Sequence, residues 1–297
     1  GETAIGIRAE SGGESFDIYA ENIVVCCGAL QTPQLLMLSG IGPADHLKSM
    51  GIKIVKDLPG VGQNLRDHCT VRMRCSVRND FPLDPHSVRN QILLCYTAKG
   101  STSKNDMEVW VSNYAGSISE DPTKQSGKDK GCVQLGLVLC WPEAVHEIRL
   151  RSSDYRDQPE IIYRHLENSW DMERMRDGMR VCQDLVQNKA VQTIVTEIVE
   201  PTLLQLENST LLDKWLVENV DHFAHQAGSC KMGPDSDPMA VVDQQGNVKG
   251  INGLVIADTS IMPNVTRNST NATAIMIGER IAEWIKGSFE TRSNIPE

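Results

Sequence analysis

The segment His225-Gln226-Ala227-Gly228-Ser229-Cys230-Lys231-Met232-Gly233, followed later by Asn271 at the mouth of an apolar helix, holds the residue types best suited to chemistry in this chain. Histidine is the side chain whose ordinary pKa lets it take and return a proton near neutrality, and a nearby carboxamide can hold the group that loses that proton. A pair of this kind suits the oxidation of an alcohol. A lone histidine in a loop is more often a structural residue, so the pairing rests on the segments around it.

Elements positioning such a pair have to come from a chain of ordinary globular composition. It has 297 residues, with 40% hydrophobic and 23% charged side chains, enough to bury a large core in one or two domains. Its 29 basic and 39 acidic residues leave a net charge of -10, which works against binding a phosphate backbone, so no nucleic-acid partner is expected. No apolar run approaches the ~18 residues of a membrane span. Nine cysteines, an odd number without a C-x-x-C pair, write neither a zinc site nor a regular disulfide set, so no metal is expected. They lean toward a reducing compartment, but the compartment itself stays unassigned. The sequence opens Gly1-Glu2-Thr3 without an initiator methionine or targeting segment, and the expectation is a portion of a longer chain.

Thr3 to Arg8 and Ser15 to Ala20 flank Gly12-Gly13 and predict a hairpin. Asn22 to Cys27 is a continuous apolar run suited to a strand buried on both faces; Gly28 and a short helix near Thr32 to Leu38 follow, a strand-turn-helix step of the kind a nucleotide-binding sheet uses. Pro43 and Gly51 bracket a second short helix. From Thr70 the pattern changes: Val71, Met73, Cys75 and Val77 alternate with polar residues, as do Val133, Leu135, Leu137 and Leu139, and more briefly Ile148 and Leu150. This period of two predicts an antiparallel sheet in the middle third. Ser117 to Lys130 reads as a surface loop. Met172, Met175, Met179, Cys182 and Val186 mark an amphipathic helix over about 171–187, and Ser209 or Thr210 can cap another that runs to about Val220.

Five segments in order resemble the glucose-methanol-choline (GMC) oxidoreductase family: Gly28 to Gly42 (Gly28-Ala29-Leu30-Gln31-Thr32-Pro33 onward), Leu58 to His68, the His225 segment, Gly253 to Pro263, and Asn271 to Arg280. The resemblance implies an α/β, mixed α+β protein. An FAD-binding doubly wound domain would comprise residues 1–69 and 223–297, and a substrate domain with an antiparallel sheet and flanking helices would comprise 70–222. That FAD-binding domain would be incomplete, because the opening G-x-G-x-x-G fingerprint that receives the pyrophosphate does not occur. The chain is therefore expected to be the C-terminal portion of such an enzyme, its partner being the missing N-terminal half.

By the same resemblance His225 is the base and Asn271 the group that positions a small-molecule alcohol, while Gly28, Ala257, Asp258, Ala272 and Thr273 lie at FAD. Each has a plainer reading. Asn271 suits a helix N-cap, and Asp258 suits a turn at a strand end. A carboxylate repels phosphate, so the backbone amides around Asp258 are expected to do the binding. Asp67 and His68 read as turn and buried structural residues, and Cys230 as an inert thiol. Only 5% of the residues are aromatic, which argues against an aromatic cage for a quaternary ammonium. Two alternatives stay open: a non-redox lyase or cyclase that keeps FAD as a structural element, and a fragment without catalysis.

Overall fold

The structure, a computed structural model, describes residues 2–81, 88–114 and 132–293. The predicted loop from Ser117 to Lys130 lies outside the described residues. The chain forms two units, the first built from Gly1–Asp67, Val145–Arg164 and His225–Glu297, the second from His68–Ala144 and His165–Ala224.

The first unit is layered α/β. The apolar run after Glu21 becomes the strand Ile23–Val25, which pairs in parallel with Leu254–Ile256; Glu2–Thr3 pairs in parallel with Ile251–Asn252, and Ile41–Gly42 with Lys56–Asp57. Parallel pairs need crossover connections, and the helix Ala44–Ser49 supplies the one between Ile41–Gly42 and Lys56–Asp57. The predicted hairpin is Gly6–Ser11 against Glu14–Tyr19. The predicted short helix is Ala44–Ser49, with Pro43 before it and Gly51 just after it. Met37, Leu47, Val61, Leu65, Ile256, Ile261 and Ile277 fill the core between these elements. A buried side chain of this size contributes about 1.5–3 kcal/mol.

The helix Gly28–Leu38 begins earlier than its sequence pattern suggests and carries Pro33 inside it. Proline has no N–H, so the carbonyl of Ala29 loses its helical donor. The hydroxyl of Ser229 fills the gap, donating to that carbonyl at 2.5 Å. One residue of the His225 segment thereby repairs the helix that follows the first strand.

The brief alternation at Ile148 and Leu150 belongs to this unit and not to the large antiparallel sheet. Glu147–Arg149 pairs with Glu160–Ile162 as a separate two-stranded ladder. The amide of Ile148 donates to the carbonyl of Gly62, and Leu65 and His146 exchange both backbone bonds, so residues 145–164 are fastened to the 60–67 stretch. A period of two announces a strand but not its neighbour.

The second unit is a six-stranded antiparallel sheet. Its path runs Val195–Glu200, Cys69–Val77, Cys132–Leu139, Met107–Tyr114, Asn90–Tyr96, and Asp221–His222 also pairs with Cys69–Val77. Met73, Cys75, Leu135 and Leu137 pack on one face against Met175, Met179 and Cys182 of the helix Ser169–Gln187 and against Leu212, Trp215 and Leu216 of the helix Ser209–Asn219. Asn168 caps the first of these helices and Asn208 the second, in place of the predicted Ser209 or Thr210. A capping box between Thr202 and Gln205 opens a further helix, Leu203–Glu207.

Candidate active site

His225 is half-buried at the start of a segment laid along a 3-10 turn, Thr259–Ile261. Gly228, Cys230 and Met232 donate in succession to the carbonyls of Thr259, Ser260 and Ile261 at 3.0, 2.8 and 2.7 Å. Arg66 and Ala227 exchange backbone bonds on the other side. The side-chain amide of Asn64 donates to the carbonyls of Gly228 at 3.2 Å and Pro263 at 3.1 Å, tying segment and turn together.

The position of His225 itself is set by Asp67, whose Oδ1 accepts the His225 backbone N–H at 2.9 Å. The other carboxylate oxygen, Oδ2, accepts the phenol of Tyr163 at 3.3 Å, and that phenol accepts the side-chain amide of Gln226 at 3.0 Å. Sequence reading set Asp67 aside as a turn residue and did not single out Tyr163. Their signal is not local, since Asp67 serves a backbone group 158 positions away. Burial lowers the pKa of His225 from its ordinary value, because a desolvated imidazolium is disfavoured. Burial thus favours the neutral imidazole, the form in which a histidine can accept a proton.

Asp258 follows the strand Leu254–Ile256 and is buried. Its Oδ2 accepts from the amide of Gly28 at 2.9 Å and the hydroxyl of Thr32 at 2.6 Å, and its Oδ1 from the amide of Ser260 at 2.7 Å. The carboxylate is therefore engaged by three protein donors, and it locks the start of one helix to the 3-10 turn. The amide of Ala257, one of those expected to meet a phosphate, is taken by the carbonyl of Val25, and the amide of Gly28 is taken by Asp258. What Gly28 offers is space: its φ is +78°, and nothing stands within 4 Å of where a Cβ would point.

Asn271 opens the helix Asn271–Ser293 as its first residue. The carbonyl of Thr270 accepts the first helical bond, from Ala274 at 2.8 Å, so Thr270 holds the cap position that the sequence suggested for Asn271. Asn271 and Ala272 are exposed and Thr273 is partly so. Among the described residues the amides of Asn271, Ala272 and Thr273 have no acceptor, which leaves the positive end of the helix open to an electron-rich group. The helix also packs against the Thr259–Ile261 turn.

Cys230 is fully buried and its thiol is pushed up by desolvation, first of all, and by the nearby charge of Asp258, so it has no thiolate character. Among the described residues none of the cysteines forms a disulfide. A cavity of about 500 Å³ lined by Met37, His46, Gln63, Glu147 and Met239 includes none of His225, Asn271, Asp258, Gly28, Ala257, Ala272 and Thr273. Among the described residues no helix is long and apolar enough to cross a membrane.

A parallel-stranded unit with a strand-turn-helix step, joined to an antiparallel-sheet unit, is the architecture of FAD-dependent oxidoreductases. Family models for GMC oxidoreductase match residues 1–70 and 142–278, and the chain belongs to that family. It is 32% identical over 288 residues to a GMC-type oxidoreductase of Rhodococcus erythropolis, covering 97% of this chain and 54% of that protein. It is 31% identical over 308 residues to an oxygen-dependent choline dehydrogenase of Pseudomonas fluorescens, with the same 97% and 54% coverage. Among solved structures it is similar to a pyridoxine 4-oxidase from Mesorbium loti, with a TM-score of 0.84, 24% identity, 96% of this chain and 55% of the other. A formate oxidase of Aspergillus oryzae gives a TM-score of 0.85 at 21% identity over 97% of this chain and 58% of the other. The chain spans about half the length of the relatives it matches. The cofactor of this fold is FAD, and two features here fit it: the open space beside Gly28 and the unclaimed amides of residues 271–273.

Proposed function

We propose that this chain carries the proton-handling part of an FAD-dependent alcohol oxidase or dehydrogenase, with His225 as base and Asn271 as the residue that positions the alcohol. The observation that carries the reading is the Asp67 carboxylate gripping the backbone of a half-buried His225 whose pKa is lowered by burial. FAD, when bound, supplies the acceptor for the hydride that leaves the carbinol carbon.

The chain's own residues do the rest. The neutral imidazole of His225 takes the hydroxyl proton, and burial keeps it from being occupied by a solvent proton beforehand. The exposed carboxamide of Asn271 donates to the oxygen as negative charge develops on it. The amides of Ala272 and Thr273 and the helix dipole favour an electron-rich flavin edge by about 0.3–1 kcal/mol, and Gly28 admits the cofactor's approach because it lacks a Cβ. Asp258 acts through position alone, holding Gly28, Thr32 and the turn in register.

The test is His225→Ala in the FAD-loaded enzyme. Turnover of its alcohol is expected to fall at least ~10²-fold while the flavin absorbance spectrum persists. Near-normal turnover would refute the assignment. Anaerobic addition of the alcohol is expected to bleach the flavin; product without bleaching would move the reading to a lyase or cyclase.

A further inference from the structure

The cavity of about 500 Å³ lies wholly within the first unit, apart from the residues to which a role was given above. Met37 at the end of one helix, Pro43 and His46 at the start of the helix Ala44–Ser49, Pro59 and Gln63, the strand Glu147–Arg149, and Met239 surround it. These walls are fastened to one another through their backbones. The amide of Ile148 donates to the carbonyl of Gly62 at 2.8 Å, and Gly60 lies so near Met239 that a Cβ there would sit 2.1 Å from its carbonyl oxygen. Small-molecule sites occupy roughly 300–1,000 Å³, and this cavity falls within that range.

Its polar side chains are engaged unequally. The carboxylate of Glu147 is buried and claimed on both oxygens: Arg149 donates from Nε at 2.6 Å and from Nη2 at 3.1 Å, Gln63 donates at 2.9 Å, and Arg164 stands at 3.5 Å. Two guanidinium groups therefore face one acid. The next acid, Glu160, stands opposite Arg149 in the two-stranded ladder and does not line the cavity. Nε2 of His46 accepts the amide of Leu150 at 3.0 Å, so the neutral imidazole carries its proton on Nδ1. Burial, first of all, and the charge of Arg149 lower the pKa of His46, which favours that neutral form. Among the described residues the Nδ1–H of His46 and the Nη1 of Arg149 have no acceptor, and the side-chain oxygen of Gln63 has no donor.

We propose that this cavity binds a small aromatic monocarboxylate, whose carboxylate accepts from Arg149 and His46 while its ring lies among Met37, Met239, Pro43 and Pro59. The anion follows from the donors: a guanidinium gives a carboxylate a charge-assisted bond about twice as strong as a neutral one, and the acid already in the site is shared by two arginines. The ring follows from the rest of the lining, which is apolar and includes two thioethers, side chains that adapt to an aromatic face and favour it. Inorganic phosphate has no apolar part to place there. The site is independent of the alcohol-oxidation reading, and its test reads binding and not turnover.

Benzoate, benzamide and acetate are titrated by calorimetry into the full chain. Benzamide has the same shape without the charge and can still donate to Gln63; acetate has the charge without the ring. Benzoate is expected to bind at least ~10-fold more tightly than either. In Arg149→Met the preference for benzoate over benzamide is expected to collapse toward unity, and Arg149→Lys is expected to retain part of it. Carbon-13 labelling of the methionine methyl groups locates the ligand in the natural protein: benzoate is expected to shift the resonances of Met37 and Met239, assigned through Met37→Leu and Met239→Leu. Should R149M lose its fold, judged by circular dichroism, the R149K titration and the methionine shifts decide. Benzoate binding no tighter than benzamide or acetate, a preference untouched by R149M, or shifts confined to other methionines each overturn the proposal. Displacement of benzoate by FAD overturns it as well, by assigning the cavity to the cofactor.

Discussion

The carboxylate of Asp67 accepts the backbone N–H of His225 at 2.9 Å, and the phenol of Tyr163 braces its other oxygen at 3.3 Å. The backbone that carries the imidazole is thus held by a group 158 positions away in sequence. Asp67→Ala removes the acceptor and leaves a part-buried amide unpaired, and kcat/KM of the FAD-loaded enzyme is expected to fall by roughly 10–10²-fold, since a misplacement near 1 Å is that costly. Asp67→Asn keeps an acceptor oxygen and is expected to retain most activity. Steady-state kinetics of the two variants check this; equal losses in both would show that charge, and not positioning, is what Asp67 provides.

A lowered pKa at His225 has a direct consequence for the pH profile. As the proposed base His225 works when neutral, so the acid limb of kcat/KM is expected to have its midpoint below the ordinary histidine value of about 6.5, with activity flat above it until another group titrates. An acid limb centred above 6.5 would contradict the burial argument.

How much of this was visible beforehand depends on the kind of signal. Alternation at Val71, Met73, Cys75 and Val77 was legible because Arg72, Arg74 and Ser76 on the other face are polar and only partly buried. The strand Met107–Tyr114 was less so, because Trp110 and the short polar stretch after Val111 interrupt the alternation of Met107, Val109 and Val111 with Glu108 and Ser112. The bracketing of the helix Ala44–Ser49 by Pro43 and Gly51 was readable, since capping chemistry is local. The roles of Asp67 and Ser229 and the engagement of Asp258 by Gly28 and Thr32 were not, since each is a bond across a long stretch of chain. His225 and Asn271 stood out by residue type and neighbours, but the shift of the cap from Asn271 to Thr270 turns on a single carbonyl that sequence does not reveal.

Asp258 receives three hydrogen bonds, two of them from Gly28 and Thr32 at the start of one helix. Asp258→Ala leaves the Thr32 hydroxyl and two amides without their acceptor, and hydrogen bonds to a charged group contribute about 1.5–3 kcal/mol each before relaxation. A net loss of roughly 2–4 kcal/mol in urea unfolding is expected. A loss under about 0.5 kcal/mol, the range of an ordinary surface substitution, would mean the carboxylate is dispensable to the fold.

Arg174 is the largest charged side chain in the interior, 1% exposed, with Asp106 at 2.9 Å, Asp171 at 2.6 Å and the carbonyl of Trp141 at 2.9 Å. Asp106 also accepts the amide of Ala98, and Asp171 those of Glu143 and Ala144, so the guanidinium neutralises two carboxylates that also organise loops. Arg174→Met strands both acids, at an expected cost of about 3–5 kcal/mol measured by denaturant unfolding. The triple variant Arg174→Met, Asp106→Asn, Asp171→Asn is expected to recover part of that loss, because the uncompensated charges are gone. No recovery would assign the cost to lost packing around the arginine stem.

Acid stability turns on His165. Burial, aided by the nearby His222, holds its pKa in the folded protein at about 4, against about 6.5 in an unfolded chain. Between those two values the unfolded chain takes up a proton that the folded protein refuses, so stability falls as the pH drops through that window and levels off below it. The difference corresponds to roughly 3 kcal/mol at its fullest, with His225 adding in the same direction. His165→Gln has nothing to titrate, so its unfolding free energy, followed by urea titration from pH 7 to pH 4, is expected to decline less steeply than that of the natural protein. Parallel declines in the two proteins would place the acid sensitivity on other groups and remove His165 from the account.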